Sequence, residues 1–381
     1  MFNHFQRMHL RRLQTIVKHL KMSSSSSTAT DEVLLESING KGVITLNRPK
    51  ALNSLNLSMI RAITPKLKEW DSDPDTSLVI IKGAGEKAFC AGGDIKAVTE
   101  AGKDGQPLAR DFFYEEYILN HKIATMKKPF VALVHGISMG GGVGLSVHGK
   151  YRVATEKTLF AMPETGIGLF PDVGGGFVLP RMSGQLGIYL ALTGFRLKGR
   201  DVLHSGYATH FVESNKISDL EKALLELKDP SYKAVDDVIS QFHNQCQIDK
   251  EKQFVLGAHQ EQIDRLFAAD TMEEICEALA NDASDWATKQ LETLRKMSPT
   301  SLKITLRQLR EGASFDIEDD LQMEYRISQG CIRGKDFYEG VRALLIDRDG
   351  KPKWNPATIE EVTPEIVDDH FRPVENDLQL K

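Results

Sequence analysis

Cysteine is scarce in this 381-residue sequence: there are four, Cys90, Cys246, Cys276 and Cys331, all far apart. That spacing excludes a disulfide framework and a zinc knuckle and makes a reducing compartment the default. No H-E-x-x-H or comparable ligand spacing occurs, so no metal site is expected. No uncharged apolar run reaches the roughly 18 residues of a membrane span, so no membrane partner is expected. Bases do not outnumber acids: 48 Lys and Arg stand against 53 Asp and Glu, a net charge of −5. Such a chain is a poor candidate for gripping a nucleic-acid backbone. No Gly-Lys-Ser/Thr completes a phosphate loop, and no G-x-G-x-x-G follows a strand in residues 136–149, so dinucleotide binding is unsupported. What is present is ordinary for a folded soluble protein, with 41% hydrophobic and 27% charged residues and ample length for a core.

The charge is unevenly spread. Residues 1–30 hold Arg7, Arg11, Arg12, Lys18 and Lys21 but no acid. Phe5, Leu13, Ile16, Val17 and Leu20 fall at near-helical spacing among these bases, and a serine run, Ser23 to Ser27, follows. A basic, acid-free, amphipathic start followed by serines reads as a mitochondrial transit peptide, in preference to a plain basic tail, and predicts a matrix location. Residues 31–381 alone then carry −10. A polyanionic ligand would have to be held by local bases against that field.

From Asp31 the pattern turns strand-like. Val33–Ile38 and Gly42–Leu46 flank Asn39-Gly40, a hairpin-turn signal. Residues 57–70 read as a helix with Met59, Ile63, Leu67 and Trp70 on one face. Leu78–Ile81, Phe130–Val134, Tyr151–Ala154 and His210–Val212 read as strands. Strands alternating with helical stretches argue for an α/β fold. After about Asn215 only helical periodicity is left, in Leu220–Leu227, Thr271–Leu279, Trp286–Met297 and Ser301–Leu309.

Eleven of the 30 glycines lie between residues 136 and 176. They form the knots Gly140-Gly141-Gly142-Val143-Gly144 and Gly174-Gly175-Gly176, and Gly92-Gly93-Asp94 makes a smaller third. Glycine permits close backbone approach and leaves amides facing outward. With nucleotide loops excluded, the functional reading is a pair of amides for one oxyanion, as acyl transfer from a thioester requires. Tight turns without a ligand are the alternative. Gly136-Ile137-Ser138-Met139-Gly140 also matches the G-x-S-x-G of serine hydrolases, with Asp172 and either His204 or His210 in the right chain order. Those partners follow the serine unusually soon, and the extra glycines have no role in that scheme. The blander reading is that Ser138 caps the next helix.

Two acids neighbour the glycines. Glu164 follows Pro163 and should project from a turn among Phe160, Met162, Ile167, Leu169 and Phe170. Apolar surroundings raise a carboxyl pKa and suit acid–base work near neutral pH. Asp172, in Phe170-Pro171-Asp172-Val173-Gly174, repeats the arrangement; otherwise it is a helix cap. One of Glu115 and Glu116 can face the same pocket, although pattern alone favours a solvated helix face. Asp94 could cap a helix beginning near Ile95.

Together these segments resemble the enoyl-CoA hydratase/isomerase, or crotonase, superfamily. The resemblance rests on Ile44-Thr45-Leu46-Asn47-Arg48-Pro49 with Ala51-Leu52-Asn53, and on Lys87-Ala88-Phe89-Cys90-Ala91-Gly92-Gly93-Asp94-Ile95. Lys128-Pro129, His135-Gly136, Gly140-Gly141-Gly142 and Pro163-Glu164 continue it. It covers about residues 33–213, with further similarity near the C-terminus. It implies a spiral of β-β-α turns over residues 31–214 and a mainly helical C-terminal region over 215–381. It implies a bound acyl-CoA, with no cofactor beyond the CoA of the substrate. The oxyanion donors map to the amides of Gly93 and Gly141. Members often form trimers or hexamers, so a homo-oligomer is among the implied partners.

One departure matters. Hydratases of the superfamily carry a glutamate two residues after the triple glycine, and here that position is Gly144. Glu164 matches the second hydratase glutamate. Met162–Thr165, Leu169–Gly175, Ser298–Lys303 and Met323–Arg326 resemble the superfamily's thioester hydrolases of valine breakdown. This implies hydrolysis of a short 3-hydroxyacyl-CoA, foremost (S)-3-hydroxyisobutyryl-CoA. Glu164 would be nucleophile or general base, and Asp172 would orient the substrate hydroxyl or the water. Glu116 maps to a substrate contact, and Arg48 and Lys50 are loose candidates for the CoA phosphates. The rival readings are a hydratase or isomerase, disfavoured by Gly144, and a non-catalytic acyl-CoA-binding relative.

Overall fold

The computed structural model describes residues 32–380, and the expected transit peptide lies outside them. β1 (Val33–Ile38) and β2 (Lys41–Leu46) form the expected hairpin, in the register Val33 opposite Leu46. Asn39 and Gly40 both take positive φ, 51° and 71°, as a tight hairpin turn with matching twist requires. The first helix, α1 (Leu57–Ser72), buries Met59, Ile60, Ile63, Leu67 and Trp70 and is capped by the Asn56 side chain on the Met59 amide.

Among the described residues ten strands form two sheets. The larger has the order β1-β2-β3-β5-β7-β10, where β3 is Leu78–Gly83, β5 Phe130–Val134, β7 Tyr151–Ala154 and β10 His210–Phe211. The smaller runs β4-β6-β8-β9, with β4 Ala88–Cys90, β6 Ile137–Met139, β8 Leu159–Ala161 and β9 Leu197–Lys198. Chain order explains the shape. β3, β5 and β7 lie in the first sheet, and each is followed at once by a strand of the second: β4, β6 and β8. The crossovers from β4 to β5 and from β6 to β7 carry the helices α2 (Ile95–Lys103), α3 (Leu108–Ala124) and α4 (Gly141–Val147). This is the expected spiral of β-β-α turns. The simple strand–helix alternation read from the sequence needs correction, since each turn contains a second, short strand.

The central strands β3 and β5 of the large sheet are buried on both faces and run as continuous apolar stretches, whereas the edge strand β1 exposes Glu36 and Ser37. Val79 and Ile81 point into the main core, while Leu78 and Ile80 join Val131, Leu133, Tyr151 and Val153 in a second cluster. Helices Ile217–Glu226 and Tyr232–Asn244 cover that outer face with Leu220, Leu224, Val235 and Ile239. Beyond Phe211 every regular element among the described residues is helical. The helices α6 (Pro299–Gly312) and α7 (Ile317–Arg333) belong to this region, and α5 (Gly175–Val178) is a short helix of the preceding loop. No helix among the described residues is long and apolar enough to cross a membrane.

Candidate active site

β4 and β6 are parallel neighbours, so the glycine knots at their ends are delivered side by side. Gly92 follows β4 with φ +109° and Gly140 follows β6 with φ +46°. The Gly93 segment is pinned by Leu55, whose N–H donates to the Gly92 carbonyl at 2.8 Å and whose carbonyl accepts from Asp94 N–H at 2.8 Å. Leu55 itself sits on a loop held by Asn53, which donates to the Ala84 and Ala88 carbonyls at 2.9 and 2.8 Å. A Cβ on Gly142 would come within 2.2 Å of the Cys90 carbonyl, and one on Gly141 would be 3.3 Å from the Gly93 nitrogen. These close approaches are why glycine stands there. Neither the Gly93 nor the Gly141 amide donates a hydrogen bond among the described residues.

Two carboxyls, Glu116 and Glu164, approach the Gly140-Gly141 end of this pair, and a third, Asp172, acts on both electrostatically. On α3 the helical period turns Phe112, Phe113, Glu116, Tyr117 and Asn120 inward, and Glu116 is 2% exposed. Glu115 points away and pairs with Arg61 at 2.6 Å. The preference for a solvated face thus holds for Glu115 and fails for Glu116, because neighbouring helical residues point about 100° apart. Glu164 opens a 3-10 turn, Glu164–Ile167, directly after Pro163, and is buried. A Cβ on Gly140 would lie 2.8 Å from Glu164 Oε1, and one on Gly141 would lie 2.5 Å from Glu116 Oε1. The second oxygen of Glu164, and Oε1 of Glu116, have no partner among the described residues. Asp172 is buried as well, and its Oδ2 accepts from the Tyr117 hydroxyl at 2.9 Å.

Burial, then the neighbouring charges, set the protonation of these groups. Desolvation, Asp172 and Glu164 hold Glu116 well above the usual carboxylate range. Desolvation and then Asp172 do the same to Glu164. Asp172 is pushed up to about 7 by burial, moderated by the Tyr117 hydrogen bond. Clustered acids in a dry pocket do not all ionise together.

Gly144 has a steric explanation. A Cβ there would lie 2.6 Å from the Val173 Cβ and 2.7 Å from the Asn120 Nδ2. Val173 reaches this space from a left-handed backbone, φ +57°, which a β-branched residue rarely adopts. A carboxylate side chain at position 144 has no room.

Other expectations are corrected. Ser138 lies inside β6, fully buried, with its Oγ 3.1 Å from the Tyr207 hydroxyl. It neither caps a helix nor has a base: His210 bonds Thr209 and Ser240 instead, and His204 stacks edge-on against Phe254. Asp94 precedes α2 but makes no side-chain cap, because its carboxylate takes the Arg48 guanidinium at 3.0 Å. Arg48 also pairs with Glu32 at 3.3 Å, so it braces the loop and is not free for phosphate, whereas Lys50 is exposed. Asp172 is no cap either: α5 starts after Gly174. Tyr117 and Asn120 went unnoticed in the sequence, although each lies within one helical turn of Glu116 on its inward face.

A family model described as enoyl-CoA hydratase/isomerase matches residues 41–371. The chain is 60% identical over 370 residues to a Gallus gallus protein named "3-hydroxyisobutyryl-CoA hydrolase, mitochondrial", covering 97% of this chain and 96% of that one. The protein of the same name from Homo sapiens is 59% identical over 362 residues, covering 95% and 94%. Their mitochondrial names agree with the destination expected from the leader. Among solved structures, a Mycobacterium thermoresistibile carnitinyl-CoA dehydratase has a TM-score of 0.85 at 37% identity, covering 92% of this chain and 99% of that one. An enoyl-CoA hydratase from Rhodobacter sphaeroides has a TM-score of 0.80 at 37% identity, covering 91% and 99%. A match from the second strand to the last helix, with full-length relatives near 60% identity, makes the assignment: the chain belongs to the enoyl-CoA hydratase/isomerase family.

Proposed function

We propose that this protein hydrolyses 3-hydroxyisobutyryl-CoA to the free hydroxy acid and CoA, a step of valine breakdown. The relatives near 60% identity carry that activity in their names. The observation that carries the reading is the acid set. Glu164 is buried beside Gly140 and Glu116 beside Gly141, with buried Asp172 near enough to act on both electrostatically, while Val173 and Asn120 fill the space a hydratase glutamate would need at Gly144. For that reason the hydration chemistry in the names of the solved neighbours is not carried over.

The thioester oxygen would sit between the amides of Gly93 and Gly141. Charge builds on that oxygen as the carbonyl is attacked, and one such donor contributes about 3–4 kcal/mol in the transition state. Two routes use Glu164. In one, its carboxylate attacks the carbonyl carbon, the C–S bond breaks with its electron pair on sulfur, and the thiolate takes a proton from a neighbouring acid. The resulting anhydride is then opened by water, which restores Glu164. In the other, Glu164 removes a proton from the water whose oxygen attacks the thioester carbon, the C–S bond breaks with its electron pair on sulfur, and the thiolate takes up that proton. Asp172 would orient the substrate hydroxyl or this water, Glu116 would contact the acyl group, and exposed Lys50 is a candidate for the CoA phosphates.

Both routes need ionised Glu164, so thiol release should rise with pH as Glu164 loses its proton. Glu164→Gln should lower kcat by about 10²–10⁴-fold. Equal turnover by variant and parent would remove Glu164 from the mechanism. After a single turnover in heavy-oxygen water, label in the Glu164 carboxyl selects the anhydride, and its absence selects the general base. Thiol release from a panel of 3-hydroxyacyl-CoA esters, against hydration of crotonyl-CoA, tests the reaction class.

A further inference from the structure

Glu324 is a fully buried acid outside the cluster, on α7, and the mechanism above does not use it. Its Oε2 accepts the Gly174 N–H at 2.7 Å, and its Oε1 accepts the Gly176 N–H at 2.9 Å and the Gln308 side chain at 2.9 Å. Gln308, on α6, donates with the same nitrogen to the Pro171 carbonyl at 2.7 Å. The two side chains therefore grip the chain on both sides of Asp172. Between the grips lie two successive left-handed residues, Val173 (φ +57°) and Gly174 (φ +85°). A backbone of that kind persists only where its surroundings over-determine it. His148 adds a third hold, its Nε2 donating to the Val173 carbonyl at 2.7 Å.

Building on the hydrolase reading, we propose that Glu324, braced by Gln308, is a positioning residue for the reaction. It holds the left-handed turn after Asp172 and so aims the Asp172 carboxyl at Tyr117 and the acid cluster.

The charge environment fits this role. Glu324 is faced by Asp320 one turn earlier on α7, by Asp172 from the loop, by Tyr117 from α3 and by the neutral Gln308 from α6. Asp320 packs against the same loop: a Cβ on Gly176 would lie 2.2 Å from its Oδ1. Burial pushes Asp320 up to about 7, with Arg181 opposing. Burial and then the Asp320 carboxyl raise Glu324 well above the usual carboxylate range.

The experiment compares the full-length parent, Glu324→Gln, Asp172→Asn and the double variant for kcat, KM and pH profile on the ester that the parent hydrolyses. Glutamine keeps the shape but offers one acceptor where two amides need two. Glu324→Gln should lower kcat about tenfold or more, leave KM within about twofold, and move the Asp172-dependent limb of the profile. In the Asp172→Asn background it should change kcat by less than about twofold, because the residue acts through Asp172. An equal loss of kcat in both backgrounds, or a Glu324→Gln variant that matches the parent, overturns the proposal. Gln308→Met removes the Pro171 brace and one of the three bonds to the Glu324 carboxylate while leaving its two amide bonds, and it carries the test should Glu324→Gln melt below assay temperature. It should lower kcat at unchanged KM, and parental kcat would overturn the proposal. A parent that releases no thiol from any ester overturns the hydrolase reading and the positioning role with it; the other three outcomes overturn the positioning role alone.

Discussion

Asp172 titrates at about 7 in the folded protein, against 3.8 for an ordinary aspartate. The folded chain therefore binds this proton more tightly than the unfolded chain does. Its stabilising contribution is fully present below pH 3.8 and is lost as pH rises through about 7. Asp172→Asn removes the titration, so the ligand-free variant should gain several degrees in melting temperature over the parent at pH 8 and little near pH 4. Equal shifts at the two pH values would contradict a buried, proton-holding Asp172. Ser138 makes a contrasting case. Its hydroxyl serves Tyr207 inside a strand, so Ser138→Ala should leave kcat near parental and cost about 1 kcal/mol of stability, read by denaturant melts. The chemistry of Glu164 and Asp172 was legible because apolar neighbours and proline-led turns are local features. Glu324 was not, because nothing near it in sequence reveals that its partners are amides some 150 residues away.

Elements decide what the glycine knots mean. Asn39-Gly40 announces its hairpin because turn geometry is local, and the helix from Leu57 announces itself by period. The strands of the small sheet have three residues or fewer, too few to display a period of two, so they emerge only from pairing. That pairing brings Gly93 beside Gly141. The elements around α4 also explain the hydratase departure. Gly144→Ala should destabilise the protein by about 1–3 kcal/mol, since its Cβ would overpack Val173 and Asn120. Gly144→Glu should yield no crotonyl-CoA hydration. Parental melting of Gly144→Ala would show that Val173 yields easily, and the steric account would fail.

Across the whole molecule, the spiral and the helical C-terminal region share one core. A single hydrophobic cluster runs from Val33 and Ile44 to Leu321, Ile327, Val362 and Leu378. Helices after residue 215 cover the outer face of the large sheet, and α6 and α7 supply the grip on the Asp172 loop. A chain spanning 31–214 should therefore lack a cooperative melt, monitored by circular dichroism; cooperative unfolding of that piece would show that the spiral is self-sufficient. The sequence by itself determined the class of fold, the two amide-bearing glycines and the principal acids, because backbone freedom, periodicity and apolar neighbours are written over short spans. Only the tertiary structure decided that Glu116 rather than Glu115 faces the site, that position 144 is closed to a carboxylate, and that Glu324 grips the loop carrying Asp172. Each of those depends on which distant surfaces meet, and burial converts the meeting into a shifted proton, a steric limit or a hydrogen bond.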